Sequence, residues 1–176
     1  MLIIRPARFP DPFGATTTDA DLCRTLMREY TTFLNDSAGG EHICVATMDQ
    51  ELAALPGPYA EPAGTILLAF DQDDPAGCIA LKPLHSEKEN ACEMKRLWVR
   101  PAHHGKGLGR ALAEAILSAA RERNYKAMYL DTMPATMQAA YTLYRAMGFA
   151  PVEKYIQNPV IRDPEAMEVA YLRKEL

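Results

Sequence analysis

Residues 92–123, CEMKRLWVRPAHHGKGLGRALAEAILSAARER, constrain this chain more than any other stretch. A β-type run ends at Pro101, and glycines follow at 105, 107 and 109. Beyond them Leu108, Ala111, Leu112, Ala115, Ile116 and Ala119 repeat at helical spacing, while Arg110, Glu114, Ser118, Arg121 and Glu122 fall on the other side. A strand enters, glycines turn the chain, and an amphipathic helix leaves. The N–H groups of a helix's first turn have no internal partner, and the helix dipole favours negative charge there. Glycines let a ligand approach the backbone closely. The stretch therefore reads as a phosphate or pyrophosphate site. The plainer alternative is a tight strand-to-helix turn.

The rest of the chain supplies alternating elements. LIIRPA (2–7) reads as a strand, broken by Pro10, Pro12 and Gly14. A helix follows, with Thr18 or Asp19 as its cap and Leu22, Leu26, Tyr30 and Leu34 on one stripe. Residues 35–63 are punctuated by glycine and proline, with a short helix near Asp49–Leu55. GTILLAF (64–70) and GCIALKPL (77–84) form an antiparallel hairpin across DQDDPA. KAMYLDT (126–132) is a strand. Pro134 suits the first turn of the next helix, Gly148 its exit, and two more runs lie around 150–156 and 166–173. The expected fold is α/β: one domain over 1–176, built on a mixed, mostly antiparallel sheet with helices on both faces.

Composition narrows the function. The 176 residues carry a formal net charge of −4, which argues against a nucleic-acid partner. No apolar run approaches the ~18 residues of a membrane helix, and the start lacks a signal-peptide layout. Cysteines 23, 44, 78 and 92 have no C-x-x-C spacing, so no metal site or disulfide framework is expected. That usage suits the cytoplasm. Glu41, His42 and Cys44 are too isolated to assign.

Three motifs can be laid over the glycine loop. A P-loop needs Lys then Ser or Thr after the last glycine; Arg110 and Ala111 stand there instead. A dinucleotide fingerprint fits Gly105 and Gly107, fails at Arg110, and finds a ribose-binding acid in Asp131. This keeps a nicotinamide-dependent oxidoreductase as an alternative. EMKRLWVRPAHHGKGLGRAL resembles, more closely, the signature of the GNAT superfamily of N-acetyltransferases, a strand ending in a Val-x-Pro turn followed by Q/R-x-x-G-x-G/A. Gly107 and Gly109 match its small positions, and His104 stands at the Q/R position. Downstream, AAYTLYRAMGF (139–149) resembles the family's A-x-x-x-Y-x-x-x-G-F segment through Ala140, Tyr144, Gly148 and Phe149. Met137 stands where the family often has asparagine.

The resemblance implies a GNAT-like acyl-CoA acyltransferase fold and an acetyl-CoA-dependent N-acetyltransferase. Acetyl-CoA would lie between the strands at 92–100 and 126–132. Its pyrophosphate would meet the backbone of His104, Gly105, Lys106, Gly107, Leu108, Gly109 and Arg110. Its pantetheine would run beside Leu97, Trp98 and Val99, with Lys106 nearest the 3′-phosphate. A primary amine of a small molecule or peptide would attack the thioester directly, and a homodimer is a family-level expectation. Catalysis needs a proton acceptor and a proton donor. Tyr144 is the expected acid. Glu93 is the expected base, sharing strand alternation with Lys95, Leu97 and Val99 unless a bulge intervenes; Glu89 and water compete. An acyl-CoA-binding sensor without turnover is the other alternative. His103 and His104 read as loop surface. Trp98 reads as packing under the first helix or lining the acceptor pocket, and Arg96 and Arg100 as contacts for an acidic substrate or the CoA phosphates.

Overall fold

A β-strand that must run parallel to its predecessor needs a crossover, and the amphipathic helix after the glycine loop provides one. The computed structural model describes residues 1–9, 18–37, 45–85, 89–155 and 168–176. Residues Glu41, His42 and Cys44 lie outside these. In chain order the elements are β1 (Leu2–Pro6), α1 (Asp19–Ser37), α2 (Val45–Ala53), β2 (Thr65–Asp71), β3 (Asp74–Leu84) and β4 (Ala91–Val99). Then come α3 (Leu108–Glu122), β5 (Ala127–Thr132), α4 (Gln138–Ala146), β6 (Ala150–Pro151) and β7 (Ala170–Glu175). The sheet order is β1-β2-β3-β4-β5-β7-β6. Only β4 and β5, joined through α3, are parallel; the other neighbours are antiparallel.

Each face of the sheet buries its own core. On one, Leu108, Leu112 and Ile116 of α3 pack with Ile79, Leu81, Met94, Met128 and Leu130 of the strands, and Tyr144 and Phe149 close the end. On the other, Cys23, Leu26 and Met27 of α1 and Leu52 of α2 cover Ile66, Leu68, Cys78 and Ala80. Helices on both faces of a mostly antiparallel sheet were expected from the sequence, and the fold has them.

Several boundaries differ from the sequence reading. The hairpin turn is tighter than DQDDPA suggests: Asp71 pairs with Asp74, and Gln72 takes a positive φ of 59° to close it. Helix α2 begins at Val45 rather than near Asp49. Pro134 is not in the first turn of α4. The N–H groups of Thr136 and Met137 bond back to the Met133 carbonyl, closing a separate turn, and the helix starts at Gln138. At α1 the two candidate caps divide the work. Thr18 Oγ1 accepts the Asp21 N–H at 3.2 Å, while the Asp19 carboxylate takes both Arg5 Nη atoms at 2.6 and 2.8 Å and the Arg8 N–H. The helix start is thereby tied to β1.

Candidate active site

The parallel pair opens into a gap. Strands β4 and β5 pair only from Ala91–Ala127 to Glu93–Tyr129, although β4 continues to Val99 and β5 to Thr132. A bulge lies just past the last pair. Cys78 of β3 faces Trp98 and Ala80 faces Lys95, so Arg96 and Leu97 together oppose Ile79. Arg96 adopts a φ of 59°, a left-handed conformation that costs a non-glycine residue about 1–2 kcal/mol. Its side chain is buried and clamped from α2: Nε and Nη2 donate to the Glu51 carboxylate at 2.9 and 2.6 Å, and the Tyr59 hydroxyl donates to Glu51 at 2.6 Å.

The bulge reverses the strand's alternation, and this corrects the sequence reading. Leu97 and Val99 pack against the α3 core, whereas Glu93 and Lys95, before the bulge, face the α1–α2 side. Glu93 does not share a face with Leu97 and Val99.

One end of the gap widens into a cleft of about 510 Å³. Leu97, Trp98, Val99, His104, Gly105, Gly107, Leu108, Gly109 and Arg110 line it, opposite Met137, Ala140 and Leu143. Nine of the ten expected cofactor residues thus meet in one place. Gly105 and Gly107 have φ of 75° and 76°, and Gly107 is the residue just before α3. Their left-handed backbone turns the chain so that the helix's N-terminal N–H groups border the cleft. The Arg100 N–H bonds to the Ala76 carbonyl of β3, so by alternation the Val99 main-chain groups point away from β3, toward the gap. His104 takes up one of them: its Nε2 lies 2.8 Å from the Val99 carbonyl oxygen, and since a carbonyl only accepts, Nε2 carries the proton.

The other end narrows to about 40 Å³ among Tyr30, Lys95, Arg96, Asp131, Thr132 and Tyr144, with Met94, Leu97, Leu130 and Met137. Tyr144 is 5% exposed and lies edge-on to Phe149, with ring centroids 5.9 Å apart. Burial, with the nearby Tyr30 and Asp131, holds its phenol protonated well above the ordinary range. Across from it Lys95 Nζ donates to Asp131 Oδ1 at 2.7 Å and to Glu93 Oε1 at 3.3 Å. Burial alone would lower the Lys95 pKa; Asp131 and Glu93 outweigh it and leave the ammonium favoured.

Glu93 is fully buried and lines neither cavity. It pairs with Lys82 at 3.0 Å and with Lys95, and accepts the Tyr155 hydroxyl at 2.9 Å. Glu89 is held by Arg173 and Tyr129.

Other candidate residues are engaged elsewhere. Lys106 points away from the cleft to Asp71, at 2.8 Å. Arg100 forms a two-pronged pair with Glu29 of α1, which also accepts the Trp98 indole N–H. Arg96 and Arg100 thus both pair with protein carboxylates, Arg96 while also lining the narrow end of the gap. Trp98 packs on Tyr30 and Phe33 of α1 as expected, and its edge also reaches the cleft. His103 is buried rather than loop surface, wedged between Asp71 and Asp74 of the β2–β3 turn at 3.5 and 3.1 Å. Sequence reasoning missed Lys95, Glu51 and Thr132 as site residues, and gave Asp131 to a nicotinamide ribose. Among the described residues no three His, Cys, Asp or Glu side chains gather as a metal site, and no helix is long and apolar enough to cross a membrane.

A mixed sheet opened at its parallel pair, with a glycine-led helix start at one end of the opening and a buried tyrosine at the other, is the arrangement that the resemblance to the GNAT superfamily implies. Residues 21–149 match the family model described as acetyltransferase (GNAT) family, and the chain belongs to that family. It is an acyltransferase of the GNAT N-acetyltransferase type. An uncharacterized N-acetyltransferase of Schizosaccharomyces pombe is 34% identical over 159 residues, 90% of this chain and 89% of that protein. Among solved structures, a GNAT-family acetyltransferase from Staphylococcus aureus Mu50 superposes with a TM-score of 0.72 at 16% identity, covering 100% of this chain and 99% of its own. A GNAT-family acetyltransferase from Elizabethkingia anophelis, solved with acetyl-CoA bound, gives 0.60 at 19%, covering 99% of this chain and 98% of its own.

Proposed function

We propose that the protein transfers the acetyl group of acetyl-CoA to a primary amine of a small molecule or peptide. The observation that carries this reading is the β4–β5 opening itself, with the glycine-loop cleft at one end and Tyr144 beside Asp131 at the other. The pyrophosphate lies on the N–H groups at the start of α3. The pantetheine runs along β4, and the Val99 N–H is the main-chain donor that faces it. The buried cysteines 23, 78 and 92 are free thiols, which suits a reducing, cytoplasmic setting.

The chemistry then needs a proton acceptor and a proton donor. An alkylamine with a pKa of about 10 arrives protonated and must lose a proton before its nitrogen can attack. Glu93 is the sequence expectation for the base, but its carboxylate is turned to Lys82, Lys95 and Tyr155. Asp131 lines the gap and accepts from Lys95 with Oδ1. We therefore assign proton acceptance to Asp131, with Glu93 behind it holding Lys95. The nitrogen attacks the thioester carbon, the C–N bond forms, and the C–S bond breaks with its electron pair on sulfur. Tyr144 donates its proton to that sulfur and takes back the surplus proton of the newly acylated nitrogen, Asp131 releases the first proton to water, and the products are an acetamide and free CoA.

The test is release of free thiol from acetyl-CoA with a panel of amines, run beside calorimetry of acetyl-CoA alone. Thiol release with at least one amine is expected. Binding without release for every amine would leave a sensor module; no binding would overturn the reading altogether.

A further inference from the structure

Thr132 ends β5 at the point where the gap narrows. It is 5% exposed, and its Oγ1 is sealed from solvent with no hydrogen-bond partner among the described residues. A buried hydroxyl without a partner destabilises a fold, and such groups in native proteins call for a reason. The nearest explanation, a role in the sheet, fails: the strand's ladder uses main-chain groups, and valine fills a β position equally well.

Its position supplies a reason. Met128 and Leu130 of β5 lie in the α3-side core, so alternation puts Thr132 on that same face, while Asp131 faces Lys95 on the other. Thr132 lines the narrow end of the gap together with Tyr144. The remaining gap-lining side chains of that face, Met94, Leu97, Leu130 and Met137, are apolar. A pantetheine arm in this gap would have β4 main-chain groups on one flank. On the β5 side of that face, Thr132 and Tyr144 carry the side-chain groups able to hydrogen-bond its amides. An amide buried against hydrocarbon without a partner is as unfavourable as the orphan hydroxyl. Each group answers the other's need, since a hydroxyl both donates and accepts.

We propose that the Thr132 hydroxyl is reserved for an amide of the pantetheine arm, making Thr132 a cofactor-binding residue on the β5 side. The inference rests on acetyl-CoA being the donor, as proposed above.

Calorimetry on Thr132→Val and Thr132→Ser, with acetyl-CoA and with CoA, tests it. Thr132→Val should weaken both ligands equally, by about 3- to 10-fold, the worth of one net hydrogen bond. Its melting temperature without ligand should match or exceed wild type, because valine removes the orphan and keeps the shape. Thr132→Ser should bind within about twofold of wild type. Unchanged affinity in Thr132→Val would overturn the proposal, as would a loss confined to acetyl-CoA, which would move the contact to the thioester. A lower melting temperature with normal affinity would make the hydroxyl structural. Wild-type protein that binds neither ligand would instead remove the proposed function, and this inference with it.

Discussion

Lys95 Nζ stands 2.7 Å from Asp131 Oδ1, two residues beyond the last paired position of β4 and β5. The pair bridges the gap at its narrow end, and both side chains are more than nine-tenths buried. A cation this close favours the carboxylate over the acid. Lys95 thereby keeps Asp131 ready to accept a proton near neutral pH.

This arrangement predicts a pH profile. Lys95→Met removes the cation, so Asp131 holds its proton to higher pH. The ascending limb of kcat/KM should move to higher pH, while Lys95→Arg should restore much of the original position. Asp131→Asn should abolish that limb and lower the rate by about 10²–10⁴, the range for a general base. Glu93→Gln should act more weakly than Asp131→Asn, because Glu93 reaches the gap only through Lys95. A Glu93→Gln loss larger than the Asp131→Asn loss would return the base to Glu93.

Gly109 separates ligand approach from backbone strain. Unlike Gly105 and Gly107, it has no positive φ, and a methyl group there would meet only Leu143 and Val99, at 3.9 Å. Gly109→Ala should therefore fold and melt at or above the wild-type temperature, since alanine favours helix over glycine by up to about 1 kcal/mol. Its acetyl-CoA affinity should fall by about tenfold or more, as the methyl holds the pyrophosphate off the helix start and weakens a charge-assisted hydrogen bond. Gly107→Ala, at φ 76°, should lose stability as well. Equal affinity of wild type and Gly109→Ala by calorimetry would put the phosphates elsewhere.

Glu51 holds the bulge from a distance in sequence. Burial pushes its carboxyl upward, but the Arg96 hydrogen bonds and charge outweigh this and hold it below its ordinary value of 4.5. A carboxyl with a depressed folded pKa stabilises the fold above its unfolded value, and that contribution is lost as pH falls through the folded one. Glu51→Gln leaves Arg96 buried with one charge unmatched, a change that costs about 3–5 kcal/mol in comparable pairs. Thermal melts should show a clear drop for Glu51→Gln at pH 7. The difference from wild type should shrink below about pH 4.5. A constant difference across that range would mean the ion pair is not what stabilises the bulge.

What could be read from the sequence was local. The β4–loop–α3 unit carries its own periodicity, its own stop at Pro101 and its own glycines, so its cleft residues could be named in advance. The relationships that build the chemistry are not local. Nothing in EMKRLWVR marks Arg96 as left-handed; the clamp that holds it comes from Glu51, 45 positions upstream. That single extra residue moves Glu93 off the face of Leu97 and Val99. His103 becomes a buried residue only because Asp71 and Asp74, on a hairpin turn 29 or more positions away, close over it. Lys95 and Asp131 meet only because β4 and β5 lie side by side before they part.

Tyr144 offers the sharpest separation of packing from chemistry. Its ring is part of the α3-side core and meets Phe149 edge-on. Its hydroxyl is given no hydrogen bond by the described residues, and it lies in the lining of the gap where the thioester would break. Phenylalanine keeps the ring and removes only the O–H, so Tyr144→Phe should melt at about the wild-type temperature. The hydroxyl acts on charge that develops on sulfur as the C–S bond breaks, so its loss belongs in kcat rather than in acetyl-CoA affinity. A fall of about 10² or more in kcat is expected for losing a general acid, with near-normal binding by calorimetry. The deficit should shrink for an acyl donor whose thiol leaves more readily, because such a leaving group needs less protonation. Normal turnover in Tyr144→Phe would leave the ring as core alone and pass protonation of the thiolate to water.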